Sequence, residues 1–216
     1  AKDLIVQEYD ENGDLWATRG MLVYQLKKGE EKFRKIAHIP TGLNPFWVRN
    51  FTVVRRLTIR PECVELVTTD GGDICALSAG QFWIRYRGSK RFEKTMEIEH
   101  YGLGDQGVRN AGLLALGDSA VYFGEYFQNA DRTEPVRVWH TKGDFMDWEE
   151  AHRFEPGEIR HTHAVQYDPY GEKIWVLTGD GDEESSVLWT GDNFNTLQGI
   201  GEGSQVWRVC QLVFTE

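Results

Sequence analysis

The sequence predicts an all-β protein, a β-propeller with four-stranded blades of about 50 residues. Three observations predict it. Short β-rich runs (LWATRG, MLVYQL, CVELVTT, ICALS, AVYFGEY, VRVWH, KIWVLT, VWRVCQLVF) succeed one another, split by Gly/Asp turns. Sustained helical periodicity is scarce, and DWEEAHRF at 147–154 is the one short stretch with helical character. Third, the segments beginning at Arg60, Arg109, Arg160 and Arg208 read RPECVELVTTD, RNAGLLALGD, RHTHAVQYD and RVCQLVFTE. Each opens on Arg, runs through an apolar stretch and ends on an acid: Asp70, Asp118, Asp168 and Glu216. Successive arginines are 49, 51 and 48 residues apart.

Taken in chain order, the units cover about 1–39, 60–99, 109–155 and 160–200 of a single propeller domain or part of one. The N-terminal unit matches the second almost element by element, with Asp10 as its turn acid, and an insertion at 40–59 lengthens the step to the next unit. Within the third unit the strands fall at about 109–116, 120–126, 135–140 and 148–154. In the fourth they fall at about 161–167, 173–178, 186–190 and 194–199. A small twisted sheet cannot bury both its faces alone, whereas sheets packed face to face around an axis can. The last segment, 206–216, reads as an extra inner strand. Four complete blades plus one strand point to an intact object of five or more blades, completed by the remainder of the propeller or by oligomerisation.

Composition narrows the partners. The 216 residues carry 24 Lys and Arg against 34 Asp and Glu, a formal net charge of −10. Such a balance argues against nucleic acid and against an anionic membrane surface. No apolar run approaches the roughly 20 residues of a membrane-spanning helix. Cys63, Cys75 and Cys210 form no C-x-x-C pair and read as small buried hydrophobes.

Candidate chemistry gathers at the inner strands. The first strand of a blade lines the propeller channel, so Arg60, Arg109, Arg160 and Arg208 would point toward a common axis. Clustered guanidinium groups require anions, and their forks match carboxylate or phosphate oxygens. Two readings stand side by side: a pocket for a small anionic ligand, or arginines each paired with the acid of a neighbouring blade. His161 and His163 lie at i and i+2, on the same side of one strand. Asp180 and Asp182 close the adjacent strand, and Glu125 holds Asp180's place in the third unit. A histidine working with Asp180 or Glu125 could move a proton near neutral pH. Two imidazoles on one face could bind a metal, which needs three or more ligands, and Asp180 or Asp182 could supply a carboxylate; no metal and no cofactor is assigned. Trp47 and Arg49 in the insertion add an aromatic face and a cation suited to a sugar. The run GDGDEESS, 179–186, reads as a solvated hairpin loop.

Two further stretches carry a family resemblance. TKGDFMDW (141–148) and TGDNFNTL (190–197) are similar to the Asp box, S-x-D-x-G-x-T-W. Thr190, Asp192 and Thr196 match it, with Phe194 in place of its Gly and Leu197 in place of its Trp. Thr141 and Trp148 match in the third unit, where Gly143 replaces the Asp. The chain resembles the Asp-box, or bacterial-neuraminidase-repeat, propellers, the superfamily that includes sialidases. That box is a structural turn and transfers no catalytic residue. The resemblance implies an acidic carbohydrate as ligand, because sialidases hold the substrate carboxylate with channel arginines. If the chain is an enzyme, the resemblance implies a glycoside hydrolase or polysaccharide lyase; the alternative is a non-catalytic interaction or assembly module with structural arginines.

Overall fold

The computed structural model describes residues 4–40, 63–78, 80–100 and 112–216. They form four antiparallel sheets, each a simple meander of four strands. Blade 1 is β1 (Ile5–Tyr9), β2 (Leu15–Arg19), β3 (Leu22–Leu26) and β4 (Arg34–His38). Blade 2 is β5 (Cys63–Thr68), β6 (Ile74–Ser78), β7 (Gln81–Arg85) and β8 (Glu93–Glu97). Blade 3 is β9 (Leu113–Leu116), β10 (Ala120–Gly124), β11 (Val136–Thr141) and β12 (Trp148–Phe154). Blade 4 is β13 (His161–Asp168), β14 (Lys173–Gly179), β15 (Ser186–Thr190) and β16 (Gln198–Glu202). DWEEAHRF, the stretch with helical character, is therefore strand β12.

The repeat is visible in backbone detail. In every blade the outermost pair skips one residue of its last strand: Ile36, Thr95, Ala151 and Ile200. Such a bulge increases local twist where the blade turns outward. The acids ending the first-strand motif shape hairpin turns. Asp10 accepts hydrogen bonds from the Asn12 and Asp14 amides at 3.0 and 2.9 Å and from Trp16 Nε1 at 2.9 Å. Asp168 does the same for the Tyr170 and Gly171 amides. The final strand of blade 4 begins at Gln198, later than the sequence suggested, because 191–197 form a turn around Asp192. Asp192 Oδ1 there accepts from the Thr190 hydroxyl and the Thr196 amide, and Oδ2 from the Thr196 hydroxyl.

Each middle strand sends alternate residues into two cores, the period-2 logic of a strand buried on both faces. Ile74 and Ala76 of β6 join Trp16, Val23 and Ile39 of blade 1. Cys75 and Leu77 point the other way, to Val121 and Phe123 of β10. Tyr122 turns from that core to meet Val165, Val176 and Phe194 of blade 4. Each large side chain so buried contributes about 1.5–3 kcal/mol. The far face of blade 4, Leu177 and Val187, is covered by Trp207, Val209 and Leu212. On β1, by contrast, Ile5, Val6 and Tyr9 are 46%, 59% and 70% exposed.

The segment after β16 departs from the expected inner strand. It makes a short 3-10 turn, Gln205–Trp207, and then runs on without a backbone ladder. It packs on blade 4, and a β13 side chain holds both backbone groups of Leu212. Gln166 Oε1 accepts from the Leu212 amide at 2.7 Å, and Gln166 Nε2 donates to the Leu212 carbonyl at 3.3 Å. A strand requires a neighbouring edge, and no described strand lies edge-on to this segment. For the same reason Cys210 is exposed, against the expectation of a buried residue, whereas Cys75 is buried.

Two consequences can be measured. Glu8 of β1 is half-buried against Thr68 of blade 2, its Oε1 buried and lacking a hydrogen-bond partner among the described residues. Burial pushes its carboxyl up to about 7, opposed by hydrogen bonds from Thr68 and aided by the Asp10 charge. The folded chain therefore binds the proton more tightly than the unfolded chain, and this group's contribution falls as pH rises from about 4.5 to about 7. Glu8→Gln should flatten the stability slope across that window and stabilise the protein at pH 8 by on the order of 2 kcal/mol. Urea melts at pH 5 and pH 8 read both effects. The second concerns Gly124 at the end of β10, where a Cβ would sit 2.8 Å from Thr162 Cβ of blade 4. Gly124→Ala should lower stability by about 1–3 kcal/mol by prying that seam open, read as a lower urea midpoint.

Candidate functional site

Antiparallel pairing brings the site together. His161 at the start of β13 stands opposite Gly179 at the end of β14. Arg160, just before β13, and Asp180, just after β14, therefore meet although they are 20 residues apart. The ladder slips between Thr162 and Ala164, so His163 sits on a bulge. The final segment supplies Arg208, and Gln205 Nε2 holds the Asp180 carbonyl at 3.0 Å.

Asp180 is the hub. Its Oδ2 accepts from Arg160 Nη1 at 3.1 Å and its Oδ1 from Arg208 Nη2 at 2.7 Å. His161 Nε2 lies 3.3 Å from Oδ2, and His163 Nε2 3.5 Å from Oδ1. Burial alone would raise the Asp180 carboxyl; the surrounding His161, Arg208, His163 and Arg160 outweigh it and hold it below the usual range. Asp180 also adopts φ = +139°, a region nearly reserved for glycine and worth about 1–3 kcal/mol of strain.

Asp180 is held there by a clamp that sequence reading did not find. Arg132 donates to both oxygens of Glu184, at 2.6 and 3.2 Å. Glu184 Oε1 also takes the Gly181 amide at 2.6 Å, its carbonyl accepts from Thr178 Oγ1, and Ser185 Oγ donates to the Gly181 carbonyl. Glu184 and Ser185 are buried. GDGDEESS is thus a built loop and not the solvated one the acid run suggested. Asp182, in the same run, is exposed and stands apart from the hub. The signal available in sequence was the Glu–Ser–Ser ending, whose small hydroxyls suit a packed turn.

The histidines are almost fully enclosed, with side chains 4% and 0% exposed. Their ring centroids are 5.3 Å apart, and the Tyr126 ring lies 4.1 Å from His161. His161 Nδ1 faces the Phe127 carbonyl at 3.2 Å and His163 Nδ1 the Val209 carbonyl at 3.1 Å. A carbonyl only accepts, so each Nδ1 carries a hydrogen, and a neutral His161 presents a lone pair at Nε2. Burial pushes the His161 imidazole down to about 4, against the pull of the Phe127 carbonyl and Asp180.

Glu125 is not brought to this hub. Its carboxylate accepts from Trp139 Nε1 at 3.0 Å and from the Arg137 amide at 2.9 Å within blade 3. Burial raises its carboxyl despite these bonds. Only its backbone reaches across, the carbonyl accepting from the Thr162 amide and hydroxyl. Repeat symmetry would pair Arg160 with Glu125 as Arg208 pairs with Asp180. Instead Arg160 swings to Asp180 and to Gln128 Oε1 at 2.6 Å, so one acid serves two arginines. Arg60, Arg109, Trp47 and Arg49 lie outside the described residues.

Asp180→Asn keeps the shape and the backbone strain but removes the charge that two guanidinium groups share. A loss of about 1–2 kcal/mol is expected, smaller at 0.5 M salt because screening relieves the arginine repulsion. Urea denaturation at both ionic strengths reads it.

No family model and no curated protein matches the chain. Among solved structures it is similar to one in a nidogen/laminin complex, at TM-score 0.59 and 5% identity over 93% of this chain and 65% of that one. It is also similar to an ancestral GH74 enzyme, at TM-score 0.56 and 11% identity over 93% and 24%. A third likeness is the extracellular domain of a one-component system, BT4673, of B. thetaiotaomicron, at TM-score 0.53 and 13% identity over 93% and 22%. The chain spans less than two thirds of the length of each of these neighbours. They are β-propellers, and with the four meander sheets they establish the fold: an all-β propeller with four described blades.

Proposed function

We propose that the chain is a binding propeller for an acidic ligand, with an acidic carbohydrate as the class its sialidase-like repeat pattern favours. The observation that carries this reading is the convergence of Arg160 and Arg208 on one acid at the end of the blade 4 inner strand. The hub carries two cations against one carboxylate, so it retains positive charge. Arg160 Nε is buried without a hydrogen-bond partner among the described residues, and Arg208 is 45% exposed, with donors left to offer. A ligand carboxylate or sulfate could take those N–H groups bidentately. Arg60, Arg109, Trp47 and Arg49 are proposed to extend the same site. If cleavage accompanies binding, His161 or His163 with Asp180 is the proposed proton-handling pair, and Glu125 the less suited partner given its bonds to Trp139 and Arg137.

A second reading has its own support. Ile5, Val6 and Tyr9 leave apolar side chains of the blade 1 inner strand exposed, as expected of a module that assembles with further blades or a partner. One of the propellers of similar fold was solved in a nidogen/laminin complex. A chain that remains a 24.8 kDa monomer by light scattering would count against this reading.

The test of the first reading is a glycan array carrying sialylated, uronic and sulfated sugars, probed with the native chain and with Arg160→Ala/Arg208→Ala. Losing two charge-assisted contacts should weaken binding at least tenfold. An array without acidic ligands, or binding indifferent to both substitutions, overturns it.

A further inference from the structure

We propose that His161 Nε2, His163 Nε2 and an Asp180 carboxylate oxygen form a binding site for a divalent transition metal of the zinc class. The sequence offered the two histidines with a carboxylate from Asp180 or Asp182 and assigned no metal. The fold supplies the third ligand by setting the end of β14 beside the start of β13.

Four observations carry the inference. The three ligand atoms all lie within 4.8 Å of one another. His161 Nε2 lies 3.3 Å from Oδ2 and His163 Nε2 3.5 Å from Oδ1 of the same carboxylate, each close to the edge of about 3.4 Å that a tetrahedron with bonds near 2.1 Å requires. Proton placement is the second. With Nδ1–H donated to the Phe127 carbonyl, His161 Nε2 presents a lone pair toward a carboxylate oxygen that can also only accept. That buried atom finds no hydrogen-bond donor among the described residues. Two acceptors in contact are repulsive, and a cation between them turns the contact attractive. Third, the supporting shell matches that of a metal site. Each imidazole donates its other N–H to a backbone carbonyl, and the carboxylate is fixed by hydrogen bonds from Arg160 and Arg208. Fourth, both imidazoles are enclosed, which holds their ring planes.

The donor set selects the metal. Two imidazoles and one carboxylate suit Zn2+, Co2+, Ni2+, Cu2+ or Fe2+, while Ca2+ and Mg2+ prefer all-oxygen shells. Three protein ligands leave a position open, as in sites that bind water or substrate. A divalent ion beside two arginines raises the positive charge further, so that position is suited to an anion. The metal site does not depend on the glycan reading, and the two can fail separately.

The test uses the whole chain, treated with chelator and titrated with Co2+, whose visible absorption reports four- or five-coordinate geometry. One equivalent should bind, be displaced by Zn2+, and raise the melting temperature. His161→Gln and His163→Gln should each weaken binding at least tenfold, whereas His152→Gln, on β12 and outside the cluster, should leave it unchanged. Metal-free melts confirm that the variants fold. Should a variant not fold, the wild-type titration decides. A wild-type chain that takes up neither Co2+ nor Zn2+ at about 100 µM, or a double His161→Gln/His163→Gln chain that binds like wild type, overturns the proposal. Running the glycan array on the metal-free chain separates loss of metal from loss of the arginine contacts.

Discussion

A four-stranded sheet of five-residue strands has two apolar faces and too little area to be stable alone, so each blade exists only between neighbours. The rest of the structure follows from that constraint. It explains why β6, β10 and β14 are apolar at consecutive positions, since odd and even residues enter different cores. It also accounts for the glycine at 124, because the inner ends of adjacent blades approach too closely there for a Cβ. And it accounts for the final segment, which lays Trp207, Val209 and Leu212 over a face of blade 4 that would otherwise meet water.

That covering segment also builds the site. Arg208 and the Val209 carbonyl arrive on it, the first to bond Asp180 and the second to orient His163. The indole of Trp207 rests directly on Gly201, where any Cβ would overlap it. The packing that shields blade 4 is thus the packing that sets the fourth side of the hub. Stability and site geometry are coupled through a dozen residues that make no backbone ladder.

The fold was legible because its signals are local and periodic. Turn acids, apolar alternation and a 50-residue spacing each depend on neighbouring residues, and Asp10 and Asp168 do shape hairpins as their positions imply. The final segment was misread because VWRVCQLVF has every strand property except a partner, and partners are not written in the segment itself. At the site, the sequence singled out Arg160, Arg208, His161, His163 and Asp180, and the structure places these five in one cluster. It could not say that Glu125 is committed to Trp139, because that depends on which way a side chain turns at a strand end. Nor could it point to Arg132 and Glu184, which are 52 residues apart and meet only across a blade seam.

The departure from repeat symmetry is the most informative feature of the hub. A purely structural arginine would repeat its bond in each blade, Arg208 to Asp180 and Arg160 to Glu125. Blade 3 instead neutralises Glu125 internally, and Arg160 joins Arg208 on an aspartate whose backbone is strained. Strain persists only where surroundings enforce it, and here the Arg132–Glu184 clamp enforces it at the point where the Nε2 atoms of two histidines meet one carboxylate. A scaffold that needed only closed blades would gain stability from a glycine at 180 and an arginine paired at home. The aspartate at 180, the swung arginine and the two enclosed histidines are therefore features that blade closure by itself does not require.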